Sequence, residues 1–318
     1  MLCLSGRAGR SQSVPPVAVH DPVLIRQGNQ YYLFGTGRGI RLWSSPDRVH
    51  WTPQPPVFDT APPWTLQANP ATRPNDLWAP DISYHNGLYY LYYSSSVFGR
   101  NASAIGLATN TTLNPADTAY RWVDRGLVVQ SVPGRDNWNA IDPNLVIDEA
   151  GRGWLAFGSF WEGIRLIRLR ADLAGPASPA EAYTLASRPR TDSGGIRQAG
   201  TGAIEAPFLF RHGTFWYLFV SFDYCCRGVN STYNIRVGRS ATLTGPYLDR
   251  SGQPLTQGGG SPLLQGDAHW HGVGHSATYT FDGRDYLIYH AYDAADGGRS
   301  KLQIRPLGWD ADGWPRVE

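Results

Sequence analysis

The carboxylates at Asp21, Asp81, Asp142 and Glu205 recur at nearly even intervals, and His275 stands where a fifth would fall. The steps between these positions are 60, 61, 63 and 70 residues. Each acid lies beside a proline and an apolar run, in HDPVLI, WAPDIS, NAIDPNLVI and IEAPFLF, and GHSATY is the fifth copy. One Asp next to Pro is ordinarily a turn former. Four acids at equivalent places in a repeat point to function instead, because like charges held together raise one another's pKa and cost stability. The chemistry that needs such a cluster is hydrolysis of a glycosidic bond, with one carboxyl group kept protonated and another ionised on opposite sides of a sugar. Glu205 lies between Ile204 and the pair Ala206–Pro207, an apolar setting that favours the protonated form. Asp81 follows its proline whereas Asp21 and Asp142 precede theirs, so Asp81 can point elsewhere and serve as a structural hydrogen-bond acceptor.

A repeat of this length marks a propeller or a solenoid, in which no unit buries its apolar face alone. Downstream of each position a Gly precedes an aromatic-rich strand, at Tyr31–Phe34, Tyr89–Tyr92, Trp154–Phe157, Trp216–Phe219 and Tyr286–Tyr289. That pattern reads as two strands joined by a tight turn. Alternating runs beginning at Gly39, Ala104, Gly163, Asn234 and Leu302 supply a third strand per repeat, and a fourth is faint, as near Tyr120–Val123. The expectation is an all-β, five-bladed β-propeller whose first strands line a central channel, so that the aligned positions converge there. Residues 1–14 are expected to be a disordered tail and residues 15–318 a single catalytic domain.

Composition narrows the partner. The net charge is only +2 and Arg is dispersed along the chain, which argues against nucleic acid and an anionic membrane surface. With 12 Trp, 17 Tyr and 11 Phe the chain carries many flat rings, most needed for blade cores and some suited to sugar faces. Neither a secretory h-region nor an 18-residue apolar run occurs. Three Cys make no disulfide framework. Cys225 and Cys226 are adjacent, where an ordinary bridge is geometrically strained, and are expected as a buried structural pair.

The motifs HDP at His20, SPDRVHW at Ser45, LWAPDI at Leu77, FGRNASAIGLATN at Phe98, NAIDPNL at Asn139, GSFWEGI at Gly158, IEAPFLF at Ile204, FDYCCRGVNSTYNIRVGRS at Phe222, GPY at Gly245 and GVGHSA at Gly272 resemble, in order, the glycoside hydrolase family 43 arabinanases. The likeness runs from Val19 to about Trp309. It implies a five-bladed propeller that cuts α-1,5-linked arabinan and arabino-oligosaccharides with inversion. Carried over by position, it makes Asp21 the general base, Glu205 the general acid and Asp142 the residue that raises and orients the acid. His275 becomes the ligand of an axial ion, usually calcium, completed largely by water. Sugar contacts are implied at Asn139, Ser159, Phe160 and Trp161, and the neighbouring Ala140 and Ile141 are expected with them. Phe98, with Gly99 on a loop after the second strand of blade 2, is either a ring that stacks on a sugar or a loop anchor, and Trp78 is a further platform candidate. Arg227 is a candidate donor to sugar hydroxyls, or else a surface ion-pair partner.

From chemistry alone the metal stays open, since calcium favours oxygen ligands and His269, His271 and His275 suggest zinc without a Cys or acid spaced to complete its set. The runs SFWEGI and DYCCRG resemble the endo-acting branch. A monomer acting outside the cell or in the periplasm follows from a polymeric substrate. Rival readings are an exo-acting arabinofuranosidase or β-xylosidase, a retaining fructan-cleaving propeller and a non-catalytic sugar-binding propeller.

Overall fold

A computed structural model describes residues 16–191 and 200–318. The tail expected over residues 1–14 lies outside the described residues. Five antiparallel sheets follow one another along the chain. The first comprises Val23–Gln27, Gln30–Gly35, Arg41–Ser45 and Thr52–Gln54, and the second Asp76–His85, Leu88–Ser95, Ser103–Asn110 and Val123–Ser131. The third holds Asn144–Ile147, Gly153–Phe157, Ile164–Arg168 and Ala182–Ala186. Ile204–His212, Phe215–Phe222, Asn234–Ser240 and Ser261–Leu264 form the fourth, and Trp270–Phe281, Arg284–Asp293, Arg299–Trp309 and Pro315–Val317 the fifth. Their first strands pack against one another in cyclic order, the fifth against the first, which closes a five-bladed propeller. Every blade has its fourth strand, and the one sought near Tyr120 begins at Val123.

Alternation explains the packing. Second strands such as Tyr31–Phe34 and Trp216–Phe219 are buried on both faces between neighbouring blades, so they read as continuous apolar runs. The short Gly37–Arg38 strand adds to the inner strand of blade 2 and ties blade 1 to it. Among the described residues no blade borrows a strand from the other end of the chain. The seam between blades 5 and 1 is closed by side chains, with Val19, Leu24, Leu33 and Trp43 packed on Phe281, Ile288 and Leu302. The Leu302 amide also donates to the Val17 carbonyl at 2.8 Å.

The inner strands carry one shared irregularity, which shapes the site. Asp21, Ala79, Asp142, Ala206 and His275 all have φ between 45° and 58°, the left-handed region that non-glycine residues rarely adopt. The sheet register shifts at three of these places, between Trp78 and Asp81, Glu205 and Phe208, and Gly274 and Ala277. These are β-bulges, which bend a strand and re-aim a side chain. The structural repeat is therefore the residue before each proline, with His275 in the fifth blade. Ala79 and Ala206, not Asp81 and Glu205, occupy the repeated position.

Candidate active site

The bulge amides are held by the neighbouring blade. Ala79 N–H donates to Thr36 Oγ1 at 2.7 Å, Asp142 N–H to Ser94 Oγ at 3.2 Å, His275 N–H to Ser221 Oγ at 2.9 Å and Asp21 N–H to His290 Nδ1 at 3.2 Å. In the fourth blade Ala206 N–H donates to Asp142 Oδ2 at 3.0 Å. The equivalent serine of blade 3, Ser159, is released to donate through Oγ to Glu205 Oε2 at 2.6 Å. In four blades a side chain from a neighbouring second strand or the residue after it thus fixes the left-handed residue, and in the fourth blade Asp142 does so.

These groups meet in a cavity of about 490 Å³, lined among others by Asp21, Asp142, Glu205 and His275. That volume suits a short stretch of sugar. Asp21 is buried, with Oδ1 2.7 Å from His20 Nδ1 and 3.0 Å from His275 Nδ1, while Oδ2 accepts the Thr36 hydroxyl at 2.5 Å. Burial pushes its pKa up, but the two imidazoles outweigh that and hold the carboxylate well below its ordinary range. Asp142 goes the other way. Burial, with the Glu205 and Asp21 carboxylates adding to it, raises its pKa against the pull of His275 and the Ala206 amide. Glu205 Oε1 accepts the Tyr233 hydroxyl at 2.8 Å, so both its oxygens are held. One site thus contains a carboxylate kept ionised, Asp21, and a second, Asp142, biased toward holding a proton, with Glu205 between its two hydroxyl donors.

Asp81 takes no part. It is buried between blades, accepting from Leu145 N–H at 2.8 Å and Asn144 Nδ2 at 3.2 Å. Burial lifts its pKa to about 6 although these bonds and His275 oppose it. Asn144 repeats the motif one blade on, its Oδ1 accepting Leu209 N–H at 2.9 Å.

Of the expected sugar contacts, Trp78, Phe98, Gly99, Asn139, Ile141, Ser159, Phe160 and Trp161 line the cavity. Ala140 does not: it is fully buried and its N–H donates to Ser131 Oγ at 2.9 Å. Phe98 is 76 % exposed, a ring free to stack on a sugar at the cavity lip. Arg227 also lines the cavity and lies 4.2 Å over the Tyr224 ring. Cys225 and Cys226 are disulfide-bonded to each other and line the same cavity, with Cys226 exposed. The expectation of a buried pair fails because the two residues sit on the loop between the second and third strands of blade 4, at the mouth of the channel.

His275 is nearly buried, its pKa lowered by burial but raised on balance to about 9 by Asp21, Asp142 and Glu205. The same negative field favours a cation on the axis. Among the described residues, the groupings able to hold an ion are His20 with Cys225 and Cys226, and His20 with Asp21 and His290; neither includes His275. The Cys sulfurs are already joined, and His290 Nδ1 accepts from Asp21. Any ion held at His275 would therefore take most of its ligands from water, since no second and third protein ligand gathers with it among the described residues.

Sequence reasoning missed Thr36, Tyr233 and His290. Thr36 has a signal, the serine or threonine found at or just after the end of most second strands once blades are aligned on the proline; Tyr233 and His290 have none of that kind.

The chain is similar to several known proteins along nearly its whole length. An extracellular exo-α-(1→5)-L-arabinofuranosidase of Cellvibrio japonicus is 50 % identical over 318 residues, covering 100 % of this chain and 90 % of that protein. An extracellular endo-α-(1→5)-L-arabinanase of Bacillus subtilis is 44 % identical over 301 residues, covering 93 % and 87 %. The structure of a Cellvibrio cellulosa α-L-arabinanase complexed with arabinohexaose superposes with a TM-score of 0.94 at 51 % identity, covering 96 % of each chain. Residues 12–315 match the family Glycosyl hydrolases family 43, and the chain belongs to that family.

Proposed function

We propose that the protein hydrolyses the α-1,5-L-arabinofuranosidic bonds of arabinan and its oligosaccharides outside the cell. The observation that carries the reading is the convergence of an ionised Asp21, a proton-retaining Asp142 and a hydroxyl-held Glu205 in one cavity. Support for the substrate comes from relatives named for arabinan linkages, two of them named extracellular. Asp21 draws the proton from a water, Glu205 protonates the departing sugar oxygen, and Asp142 sustains the proton on that acid. A single displacement makes the anomer first released the inverted one, which proton NMR of the early product reads. Asp21→Ala is expected to abolish turnover of linear arabinan with the fold intact; turnover within tenfold of the parent protein rules it out as base.

The relatives divide over where the chain is cut. Motifs around Ser159 and Cys225 resemble the endo-acting branch, whereas the 50 % identical relative is named exo-acting. Internal cutting drops arabinan viscosity before much reducing sugar forms; chain-end cutting does the reverse. That measurement separates the two.

At His275 the proposed ion is calcium with a largely aqueous shell. It supplies fixed positive charge among the carboxylates when bound. A cation that binds only the native state adds stability by mass action. Chelation is expected to lower the melting temperature; metal-free protein by elemental analysis, unmoved by chelator, makes His275 purely structural.

A further inference from the structure

We propose that Tyr292 and His20 are positioning residues, a hydrogen-bonded relay running from the Cys226 backbone amide to Asp21 that fixes His20 as the Nδ1-protonated neutral ring and so orients the base. The inference rests on the reading of Asp21 as general base. Cys226 N–H lies 2.7 Å from Tyr292 Oη, Tyr292 Oη 2.8 Å from His20 Nε2, and His20 Nδ1 2.7 Å from Asp21 Oδ1.

A backbone amide can only donate, so the Tyr292 oxygen accepts there and keeps its proton for a further partner, which the relay assigns to His20 Nε2. At the other end the ionised Asp21 can only accept, which places a proton on His20 Nδ1. An Nε2 that accepts is unprotonated, which leaves the ring proton on Nδ1, facing Asp21. The other carboxylate oxygen is served by the same logic. Ala79 N–H donates to Thr36 Oγ1, whose proton goes to Asp21 Oδ2. Each oxygen of the base is thereby tied, through one or two side chains, to a backbone amide that the fold holds still. One anchor is the bulge of blade 2 and the other the loop of blade 4. His20 is also packed face to face with the fully buried His290, at 3.9 Å between ring centroids, which limits its rotation. A carboxylate free to rotate would present its lone pair to the attacking water only part of the time, and misplacement on the ångström scale costs about 100-fold in rate.

The test uses the full chain with ¹⁵N-labelled histidine, together with Tyr292→Phe, His20→Asn and His20→Ala. Long-range ¹⁵N–¹H correlation of the parent protein is expected to show a neutral, Nδ1-protonated ring that disappears in His20→Asn. In Tyr292→Phe that signature is expected to give way to the other tautomer or a mixture. The variant's kcat on arabino-oligosaccharides should fall about 10- to 100-fold, with KM changed less than about threefold. His20→Asn, whose amide can still donate from the place of Nδ1, should keep at least about tenfold more kcat than His20→Ala. A parent His20 protonated on Nε2, or on both nitrogens, overturns the relay, as does a Tyr292→Phe enzyme within twofold of the parent kcat. The tautomer is read without any activity. If Asp21→Ala stays active it is the reading of the base that fails, and the relay is still judged by the spectrum.

Discussion

Glu205 reaches the cavity from the residue before its bulge, while Asp21 and Asp142 reach it from the bulge itself. That one-residue offset gives three carboxylates three different surroundings. Glu205→Gln is expected to lower kcat/KM on arabinan by about 10²–10⁴-fold while sparing an aryl arabinoside whose leaving group needs no proton. Equal loss on both substrates removes Glu205 as the acid. Asp142→Asn removes an ionisable neighbour that can turn negative as pH rises, so Glu205 is expected to part with its proton more easily. The alkaline limb of the kcat/KM profile then moves to lower pH; a limb that stays in place reverses the roles. Asp21, Asp142, Glu205 and His275 were legible because each belongs to a short repeated phrase. Their partners were not, since Tyr233 meets Glu205 across 28 positions and Tyr292 meets His20 across 272. No local pattern encodes contacts made only when the ring closes.

The inner strands divide their work between neighbouring residues: a left-handed residue turns the chain at the axis, and in blades 2 and 3 the side chain two residues on locks the strand to the next blade. Asp81 and Asn144 belong to the second job, so an acid beside a proline is not by itself a member of the site. Counting acids gave the number of blades correctly yet misplaced the repeat by two residues in blade 2 and one in blade 4. Counting prolines, at 22, 80, 143 and 207, recovers it. Because the bulge is architectural, it persists where the residue does no chemistry. Ala79, at φ 45°, shows this. Ala79→Val places a β-branched side chain where even alanine is rare and is expected to cost about 1–3 kcal/mol in urea unfolding. A variant as stable as the parent means the bulge relaxes freely.

The five-blade ring was readable from aromatic second strands and their glycine turns, whereas the manner of its closure was not, because the seam joins the two ends of the sequence. Arg48 sits on that seam, its guanidinium 5.0 Å from the Tyr31 ring of blade 1 and 5.7 Å and 4.4 Å from the Phe281 and Tyr286 rings of blade 5. Arg48→Ala is expected to cost about 1–2 kcal/mol, seen as a lower melting temperature with kcat unchanged. An unchanged melting temperature places the strength of the seam in its apolar contacts alone. The bond between Cys225 and Cys226 has a consequence of another kind. It lies at the lip of the cleft, with one sulfur open to solvent. Small thiols can reach it there, and such bonds endure only where the surroundings are oxidising. Protein harvested from a glutathione-rich cytoplasm and protein matured outside it are then two chemical species, differing by a pair of hydrogens beside the substrate, and an intact mass taken without reductant tells which one has been assayed.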